Sequence, residues 1–412
     1  MMKKILLLFI AAIISFYIFS NLYNYNSTKD KKQIVSFSTW GSQSEISVLK
    51  NIIKDFEKEY PEIKIELLHV PQNYFQKLHL LFASNQAPDV IFINNQNIQM
   101  YIEAGLLEDL SGIFPESEDI FYNETLDCFR KNGGLYAIPR DFSNLVIYYN
   151  KDILRKESIS FPVKITNLEE LKELCIKLAT EKYFAVNIEE DSLYLLAFLS
   201  SNGGGIISDD KKSVIINSPE SIEALNLYFN LIHKYHAAPS KSQIGSMTTA
   251  QMFINGKLAL YIGGRWMVPK FRETVNFEWD VAEFPSSANN KIYIDASGWA
   301  VSKKSKNKEN AYKLIKYLSS KYSSGKFTEI GLIVPARKDT AQSSIFLDKS
   351  KKPQNCEAFL KSLKNSKPTP VNKNYSIIND IIKEKIKSMI SGKLLPEEAF
   401  DDKTVNRIES LL

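Results

Sequence analysis

Apolar positions follow two alternating periods along the chain, that of a strand and that of a helix. Residues 33–38 have the strand period. The helical period follows, with Ser42 and Glu45 as a predicted capping box and Pro61 as its end. The pattern then predicts a strand at 63–67, a helix at about 74–84 and a strand at 90–93. Strands separated by helices with short connections predict an α/β protein with a mostly parallel sheet.

The same alternation resumes after Gly133-Gly134. Two strand-like runs are followed by two helices and another strand, predicted at 135–138, 145–149, 168–180, 221–234 and 258–262. Asn167 with Glu170 and Ser218 with Pro219 are the predicted starts of the two helices. No long linker separates this region from the first. Two regions joined in this way predict several crossings between two lobes, which is how a hinge is built.

Composition limits the classes of function. The chain has 412 residues, of which 44% are hydrophobic and 24% charged. These values exclude a disordered or multi-span protein, and the length suits two domains at roughly 150 residues each. The net charge of +5 is spread among acidic residues, and the densest basic run, 303–308, predicts a solvated turn rather than a nucleic-acid surface.

Histidines and cysteines give no metal or redox pattern. The four histidines are scattered and lack companions at ligand spacing, so no metal site is predicted. Cys128, Cys175 and Cys356 are odd in number and far apart, which argues against a disulfide framework. Cys175 is predicted to be a small core residue. A bridge between Cys128 and Cys356 stays open.

The first twenty residues predict export. A basic start, residues 1–4, precedes an apolar run, 5–19, that is interrupted only by Ser15. This is the pattern of a secretory signal, and it is shorter than the roughly 20 residues of a membrane span. Ser20 suits a cleavage site, whereas Ile18 does not, so cleavage and retention as an N-terminal anchor both stay open. No cysteine follows the run for lipid attachment.

Three tryptophans stand where predicted strands pass into loops: Trp40, Trp266 and Trp299. In open α/β sheets, ligands bind at the carboxyl ends of the strands. Aromatic faces beside amide, carboxylate and guanidinium groups suit sugars, which have apolar C–H faces and many hydroxyls. The alternative for each tryptophan is packing within a lobe.

Catalytic motifs are weak by comparison. The G-x-S-x-G turn of a serine hydrolase does not occur. The glycines at 203–205 lack the Gly-Lys-Ser/Thr of a P-loop and predict only close backbone approach. The acidic pairs Glu189-Glu190 and Asp209-Asp210 are interpreted as solvated turns. The carboxylates of a glycosidase have no fixed spacing, so a secreted carbohydrate-active enzyme stays as the rival class.

Several segments, taken together, resemble a known family. In chain order they are FSTWG (37–41), ASNQAPDVI (83–91), GLYAIP (134–139) with LVIYYNK (145–151), FINGK (253–257), GWAV (298–301) and GLIVPAR (331–337). On this ordered set, the chain resembles the extracytoplasmic solute-binding proteins of ABC importers. The likeness is to the oligosaccharide-binding branch that includes maltose-binding proteins, and it covers nearly everything after about residue 33.

The resemblance implies a two-lobed periplasmic-binding-protein fold. Each lobe would be a mostly parallel sheet flanked by helices, and a hinge of several crossings would join them. The first lobe is expected at 33–142 and 296–340, and the second at 143–295 and 341–412. The implied function is capture of a sugar or oligosaccharide between closing lobes and its delivery to an ABC permease. A monomer is expected, with no reaction, cofactor, metal or nucleic-acid partner.

The resemblance also implies the ligand contacts. Trp40 and Trp266 would stack on a sugar from the two lobes, and Gln43 would stand beside Trp40. Asp141 would bind a pair of hydroxyls, and Asn94 occupies a place where relatives often have Asp. The other expected contacts are Gly204, Arg265, Trp299 and Arg337.

Two features depart from the family pattern. Arg265 stands where an aromatic or small residue is common. It therefore leaves an anionic solute, such as a glycerol phosphate, as an alternative ligand. The second departure is the missing lipid-attachment cysteine, which leaves open how the protein is retained at a membrane.

Overall fold

The computed structural model describes residue 15, residues 32–287 and residues 290–412. The predicted export signal lies outside the described residues, apart from Ser15. No helix in the described part is long and apolar enough to cross a membrane. The strands are β1 (Gln33–Thr39), β2 (Ile63–His69), β3 (Val90–Asn94), β4 (Arg130–Lys131), β5 (Gly134–Leu135), β6 (Ile138–Ser143), β7 (Val146–Asn150), β8 (Leu260–Gly263), β9 (Trp279–Glu283), β10 (Ile292–Val301), β11 (Val334–Pro335) and β12 (Ser366–Pro368).

Helices lie between most of these strands, which confirms the predicted α/β alternation. They are α1 (Gln43–Glu59), α2 (Tyr74–Ala83), α3 (Asn95–Glu103), α4 (Ser117–Ile120), α5 (Asn123–Asp127), α6 (Lys151–Lys156), α7 (Leu168–Leu178), α8 (Ser192–Ser201), α9 (Pro219–His233), α10 (Lys241–Ile244), α11 (Thr249–Ile254), α12 (Val268–Thr274), α13 (Lys308–Leu318), α14 (Lys321–Glu329), α15 (Lys338–Ala341), α16 (Glu357–Lys361), α17 (Tyr375–Ile390), α18 (Pro396–Ala399) and α19 (Asp402–Glu409). Two 3-10 turns cover Arg265–Met267 and Ser362–Asn365.

The larger sheet has the strand order β11-β6-β10-β3-β1-β2, and β12 pairs with β10. The strands β1, β2 and β3 are parallel, as predicted. The strand β10 runs antiparallel to both β3 and β6, so the prediction of a mostly parallel sheet is wrong. The direction of β10 is set by a long-range pairing. The strand enters the sheet at the end where β3 finishes and then runs back alongside β3.

The smaller sheet has the order β8-β7-β9 and is antiparallel throughout. The prediction of a mostly parallel sheet is therefore wrong here as well. Only residues 144 and 145 separate β6 of the larger sheet from β7 of the smaller one. Such a short connection carries the chain directly from one sheet to the other.

Three connections join the regions around the two sheets. The first runs from β6 to β7, the second from β9 to β10, and the third from β12 to α17. The helix α17 contacts α8 and α9, and it also contacts α3. The predicted lobe boundary between residues 295 and 296 falls inside β10, and the assignment of residues to lobes stays a prediction.

Local signals predicted the helix starts well. The side chains of Ser42, Asn167 and Ser218 each accept a hydrogen bond from a backbone N–H in the first turn of their helix. At Ser42 the predicted capping box is only half right, because the Glu45 carboxylate binds Arg140 instead of closing the box.

The cysteines lie in the core, whereas the charge runs lie at the surface. All three cysteines are free and buried, so Cys128 and Cys356 form no bridge, and Cys175 is a core residue as predicted. The basic run at 303–308 is a turn with exposed lysines that leads into α13 at Lys308, and Asp209-Asp210 is an exposed turn. Both agree with the prediction of solvated turns.

Candidate functional site

The sheet register brings three of the predicted ligand residues to one edge. Asn94, at the end of β3, pairs with Ser297 of β10, and Ser297 pairs with Asp141 of β6. The pairing of Ser38 with Ile91 places Trp40, just after β1, at the same end of the sheet. We call this row the first-sheet edge. It lies where the chain crosses toward the smaller sheet.

Trp40 is half-buried at this edge. Its ring packs against Phe92, Tyr74 and Phe75 with centroid separations of 4.2, 5.0 and 5.3 Å. These contacts fix the ring while leaving part of it accessible. Gln43 is exposed in the first turn of α1, beside Trp40. The Asn94 side chain instead caps α3, because its Oδ1 accepts from the Asn97 backbone N–H at 3.1 Å and from Asn97 Nδ2 at 2.9 Å, which leaves its amide NH2 as the group for a ligand.

Asp141 belongs to a buried ion triad. The Arg140 guanidinium donates from Nε to Asp141 at 2.5 Å and from Nη1 to Glu45 at 2.5 Å. It also lies 4.2 Å from the centroid of Phe92. Burial raises the pKa of Asp141, and the charge of Arg140 offsets part of that rise. The triad ties β6 to the first turn of α1, which follows Trp40.

A second edge lies where β8 ends. Gly263 pairs with Val146 at the start of β7, next to the first crossing. The chain then continues through Gly264 and Arg265 to Trp266, whose ring is 37% exposed. A Cβ at residue 264 would lie 1.9 Å from the Trp266 ring, so only glycine allows the ring to lie over this backbone. Trp266 therefore offers a partly exposed aromatic face, and its role as a stacking platform stays a prediction.

Glu189 lies beside this second edge and was missed by sequence reasoning. Asn187 accepts from Ile262 N–H at 2.6 Å and donates to the Ile262 carbonyl at 3.1 Å, which fixes the segment against β8. Glu189 Oε1 accepts from Asn187 at 2.8 Å and from the Thr249 hydroxyl. Burial raises the pKa of Glu189. The interpretation of Glu189-Glu190 as a solvated turn holds for the exposed Glu190 and is wrong for Glu189.

A signal for Glu189 was present in the sequence. An apolar run at 184–188 precedes it, interrupted only by Asn187. Glu189 therefore follows an apolar run in the same way as Trp40 follows β1. We therefore name Gly263, Gly264, Trp266 and Glu189 the second-sheet edge.

A third polar group lies on β10, where Asp295 pairs with Ser143 at the end of β6. Asp295 accepts from Asn95 Nδ2 at 2.9 Å and from Gln96 Nε2 at 2.5 Å, both at the start of α3. Burial raises the pKa of Asp295, and no cation contacts it among the described residues. No local pattern marks this carboxylate as a candidate site residue.

Trp299 does not reach the first-sheet edge, so its expected ligand contact is contradicted. Its side chain is 0% exposed and packs against Phe92 and Phe37 at 4.6 and 5.6 Å. It lies two residues beyond Ser297 on β10, about 7 Å further into the sheet. A strand position that differs by two residues keeps the same face but moves from the edge to the core.

The two arginines expected at the ligand are occupied elsewhere. Arg265 is 2% exposed, with its guanidinium 4.1 Å from the Phe346 centroid and Nη1 3.3 Å from Cys356 Sγ. Arg337 donates twice to Asp339, at 3.0 and 2.9 Å, and once to the Ser319 carbonyl at 3.0 Å. Burial keeps Arg265 away from a ligand, and the hydrogen bonds of Arg337 already use its guanidinium donors.

Gly204 has a packing role in place of the expected ligand contact. It is buried, and a Cβ there would lie 2.4 Å from Ser221 Oγ and 2.9 Å from its backbone. The glycine therefore lets the loop pack against the first turn of α9. Within the described residues, no group of three or more His, Cys, Asp and Glu side chains could hold a metal ion.

Comparison with known proteins gives a consistent result. The family model described as bacterial extracellular solute-binding protein matches residues 40–322. The galactooligosaccharide-binding protein of Bacillus subtilis is 23% identical over 395 residues, covering 91% of this chain and 89% of that protein. The maltodextrin-binding protein of the same organism is 24% identical over 360 residues, covering 84% and 82%.

A solved structure shares the whole fold. An ABC substrate-binding protein of Listeria monocytogenes, solved in complex with cycloalternan, is 26% identical with a TM-score of 0.83. The match covers 92% of this chain and 98% of that one. The two-lobed periplasmic-binding-protein fold is thereby confirmed.

Proposed function

The chain belongs to the bacterial extracellular solute-binding proteins, and on that premise we propose that it captures a sugar or oligosaccharide between its lobes. It then delivers this ligand to the permease of an ABC importer. The similar proteins that are named for oligosaccharides, and the one solved with cycloalternan, support this ligand class. The protein acts outside the cytoplasm, as a monomer, either released or held by its N-terminal segment.

One observation carries the proposal: the two sheet edges present complementary parts of a sugar site next to the crossings. The first-sheet edge offers Trp40 with Asn94 and Asp141, and the second offers Trp266 with Glu189. Aromatic faces bind the C–H faces of a sugar ring, and amide and carboxylate groups bind its hydroxyls. A ligand that contacts both edges favours the closed arrangement of the lobes.

The site favours a sugar over an anionic solute. Arg265 is buried under aromatic rings and Arg337 is bound to Asp339. The charges that remain at the edges are mainly carboxylates, which repel an anion. We therefore favour a sugar over a glycerol phosphate as the ligand.

A binding role also accounts for the site better than glycoside hydrolysis does. An enzyme of that class needs two carboxyl groups roughly 5–9.5 Å apart across one bond, one of them free to act as an acid. Asp141 is instead held by Arg140, and Glu189 stands at the other edge. We propose that no bond of the ligand is made or broken.

A thermal-shift screen of the exported chain tests the proposal. The panel contains mono-, di- and trisaccharides, with polyol phosphates as the competing class. A sugar at 100 times its Kd should add about 2.7 kcal/mol to the free energy of unfolding. Stabilisation by a polyol phosphate alone would contradict the sugar proposal.

Incubating the stabilising sugar with the protein and analysing the products separates binding from catalysis. The proposal expects the sugar to be recovered unchanged after many hours. Shortened oligosaccharides that are absent from a heat-denatured control would place the chain in the rival class.

A further inference from the structure

The Glu189 carboxylate has one oxygen without a protein partner. Both of its hydrogen bonds, from Asn187 and Thr249, go to Oε1. No donor among the described residues reaches Oε2, and Oε2 is not sealed from solvent. No lysine or arginine of the described chain forms an ion pair with Glu189. The oxygen is therefore available to a ligand, and the charge lacks a cation.

Aromatic residues lie near this carboxylate. Burial raises the pKa of the Tyr194 and Tyr261 hydroxyls, and the nearby Glu189 charge adds to the rise. Trp266 belongs to the same second-sheet edge and is 37% exposed. Aromatic faces attract cations through their quadrupole, so the exposed Trp266 ring suits a cationic ligand.

The other charges near Glu189 do not compensate it. Glu190 is paired with Lys241 at 3.4 Å, and Asp191 with Lys383 at 3.8 Å. Both acids repel the Glu189 charge, which adds to the rise of its pKa. Lys241 and Lys383 are thus engaged by acids other than Glu189.

The first-sheet edge is also negative. The triad there combines two carboxylates with one guanidinium. Asp295, which pairs with Ser143 at the end of β6, has only neutral donors among its described partners. A site lined by one sign of charge concentrates ligands of the opposite sign.

We infer that the ligand is a sugar that carries an ammonium group, either an amino sugar or an oligosaccharide that contains one. Its ammonium group binds Glu189 Oε2, and its ring stacks on Trp266. A neutral hydroxyl would also satisfy Oε2, but only an ammonium group compensates the charge, because it forms an ion pair in which donor and acceptor are both charged. This inference rests on the proposed function and narrows its ligand class.

Three disaccharides that differ only at carbon 2 provide the test. They are the β-1,4-linked glucosamine dimer, its N,N′-diacetyl form and cellobiose, which carry an ammonium, an acetamide and a hydroxyl. Glucosamine, galactosamine and mannosamine, each beside its neutral parent sugar, extend the test to monosaccharides. Calorimetric titration at low salt and at a pH below the amine pKa gives the affinities.

We expect at least one amino sugar to bind about tenfold tighter than its neutral and acetylated counterparts, because only its ammonium group forms an ion pair with the carboxylate. The preference should shrink with added salt. It should vanish in Glu189→Gln and persist in the matched control Glu190→Gln, whose charge is exposed and paired. The conservative change keeps the side-chain volume, and thermal unfolding checks that the variant is folded.

Two results would overturn the inference. The first is tighter binding of neutral sugars than of every amino sugar, which leaves the proposed function intact. The second is a preference for amino sugars that survives in Glu189→Gln. Stabilisation by no sugar at all would instead remove the proposed function together with the inference.

Discussion

At the residue scale, three similar tryptophans occupy different environments. Trp266 and Trp299 both lie within two residues of a glycine near a strand, and the local sequence does not show which of them is exposed. The register of β10 with β3 and β6 decides the outcome, because it sets Trp299 two residues inside the edge. Such register depends on strand pairing across the chain, which local patterns do not encode.

Trp266→Ala should weaken sugar binding without unfolding the protein. Loss of one stacking platform is expected to cost about 1–3 kcal/mol of binding free energy, by analogy with base–aromatic stacking. The exposed ring contributes little to the core, so thermal unfolding should stay close to wild type. Titration of the stabilising sugar measures the effect. Equal affinity in the folded variant would remove Trp266 from the site.

Trp299→Ala should lower the stability of the protein without removing a ligand contact. The side chain is completely buried against Phe37 and Phe92, so its removal should cost about 3–5 kcal/mol of unfolding free energy. Denaturant unfolding measures this loss. A variant as stable as wild type but unable to bind sugar would restore Trp299 as a ligand contact.

Protonation of Glu189 should make the free energy of unfolding depend on pH. Its pKa in the folded state is raised above the ordinary value of about 4.3, so the folded protein binds this proton more tightly than the unfolded chain does. Lowering the pH through that raised pKa therefore increases the free energy of unfolding, and raising the pH removes the gain.

The Glu189→Gln variant should lose this pH-dependent gain. Compared with wild type, it should be as stable or more stable at about pH 7 and gain less on going to about pH 5, because no charge remains to be neutralised. Denaturant unfolding at both pH values, with Glu190→Gln as control, measures the difference. Identical pH profiles for wild type and Glu189→Gln would mean that Glu189 is solvated.

At the element scale, helix starts were predictable and strand directions were not. Ser42, Asn167 and Ser218 cap their helices through contacts within four residues, so the sequence shows them directly. The antiparallel course of β10 follows from where the chain returns from the smaller sheet. The role of Glu45 was missed for the same reason, since its partner Arg140 is 95 residues away.

Arg140→Met should destabilise the protein strongly. The substitution leaves Glu45 and Asp141 buried without their cation, and breaking such a group costs about 3–5 kcal/mol. Arg130→Met is the matched control, because Arg130 forms two exposed ion pairs whose loss should cost about 1 kcal/mol or less. Equal unfolding free energies for the two variants would show that the triad adds nothing to stability.

At the scale of the whole molecule, the ordered family segments identified the two-lobed fold, and the alternation of strands and helices agreed with it. Trp40 and Trp266 could be predicted as candidates because each lies shortly after the end of a strand. An apolar run also precedes Glu189, but its contact with Thr249 and the contacts of Asp295 come from other elements, so neither carboxylate was predicted. The missed residues are carboxylates, and they give the site its negative charge.

The crossings at residues 144–145, between β9 and β10 and between β12 and α17 form the proposed hinge. Bending there would bring the first-sheet and second-sheet edges together while each sheet keeps its own packing. A ligand can contact Trp40 on one side and Trp266 with Glu189 on the other. It makes all of these contacts at once only in the closed form. Binding through both edges therefore requires the lobes to close.

Small-angle X-ray scattering of the exported chain, with and without the sugar that stabilises it, measures this closure. We expect a smaller radius of gyration at saturating sugar, and an unchanged radius with a sugar that does not stabilise the protein. A radius that stays the same at saturation would mean a rigid pocket and would contradict capture by lobe closure.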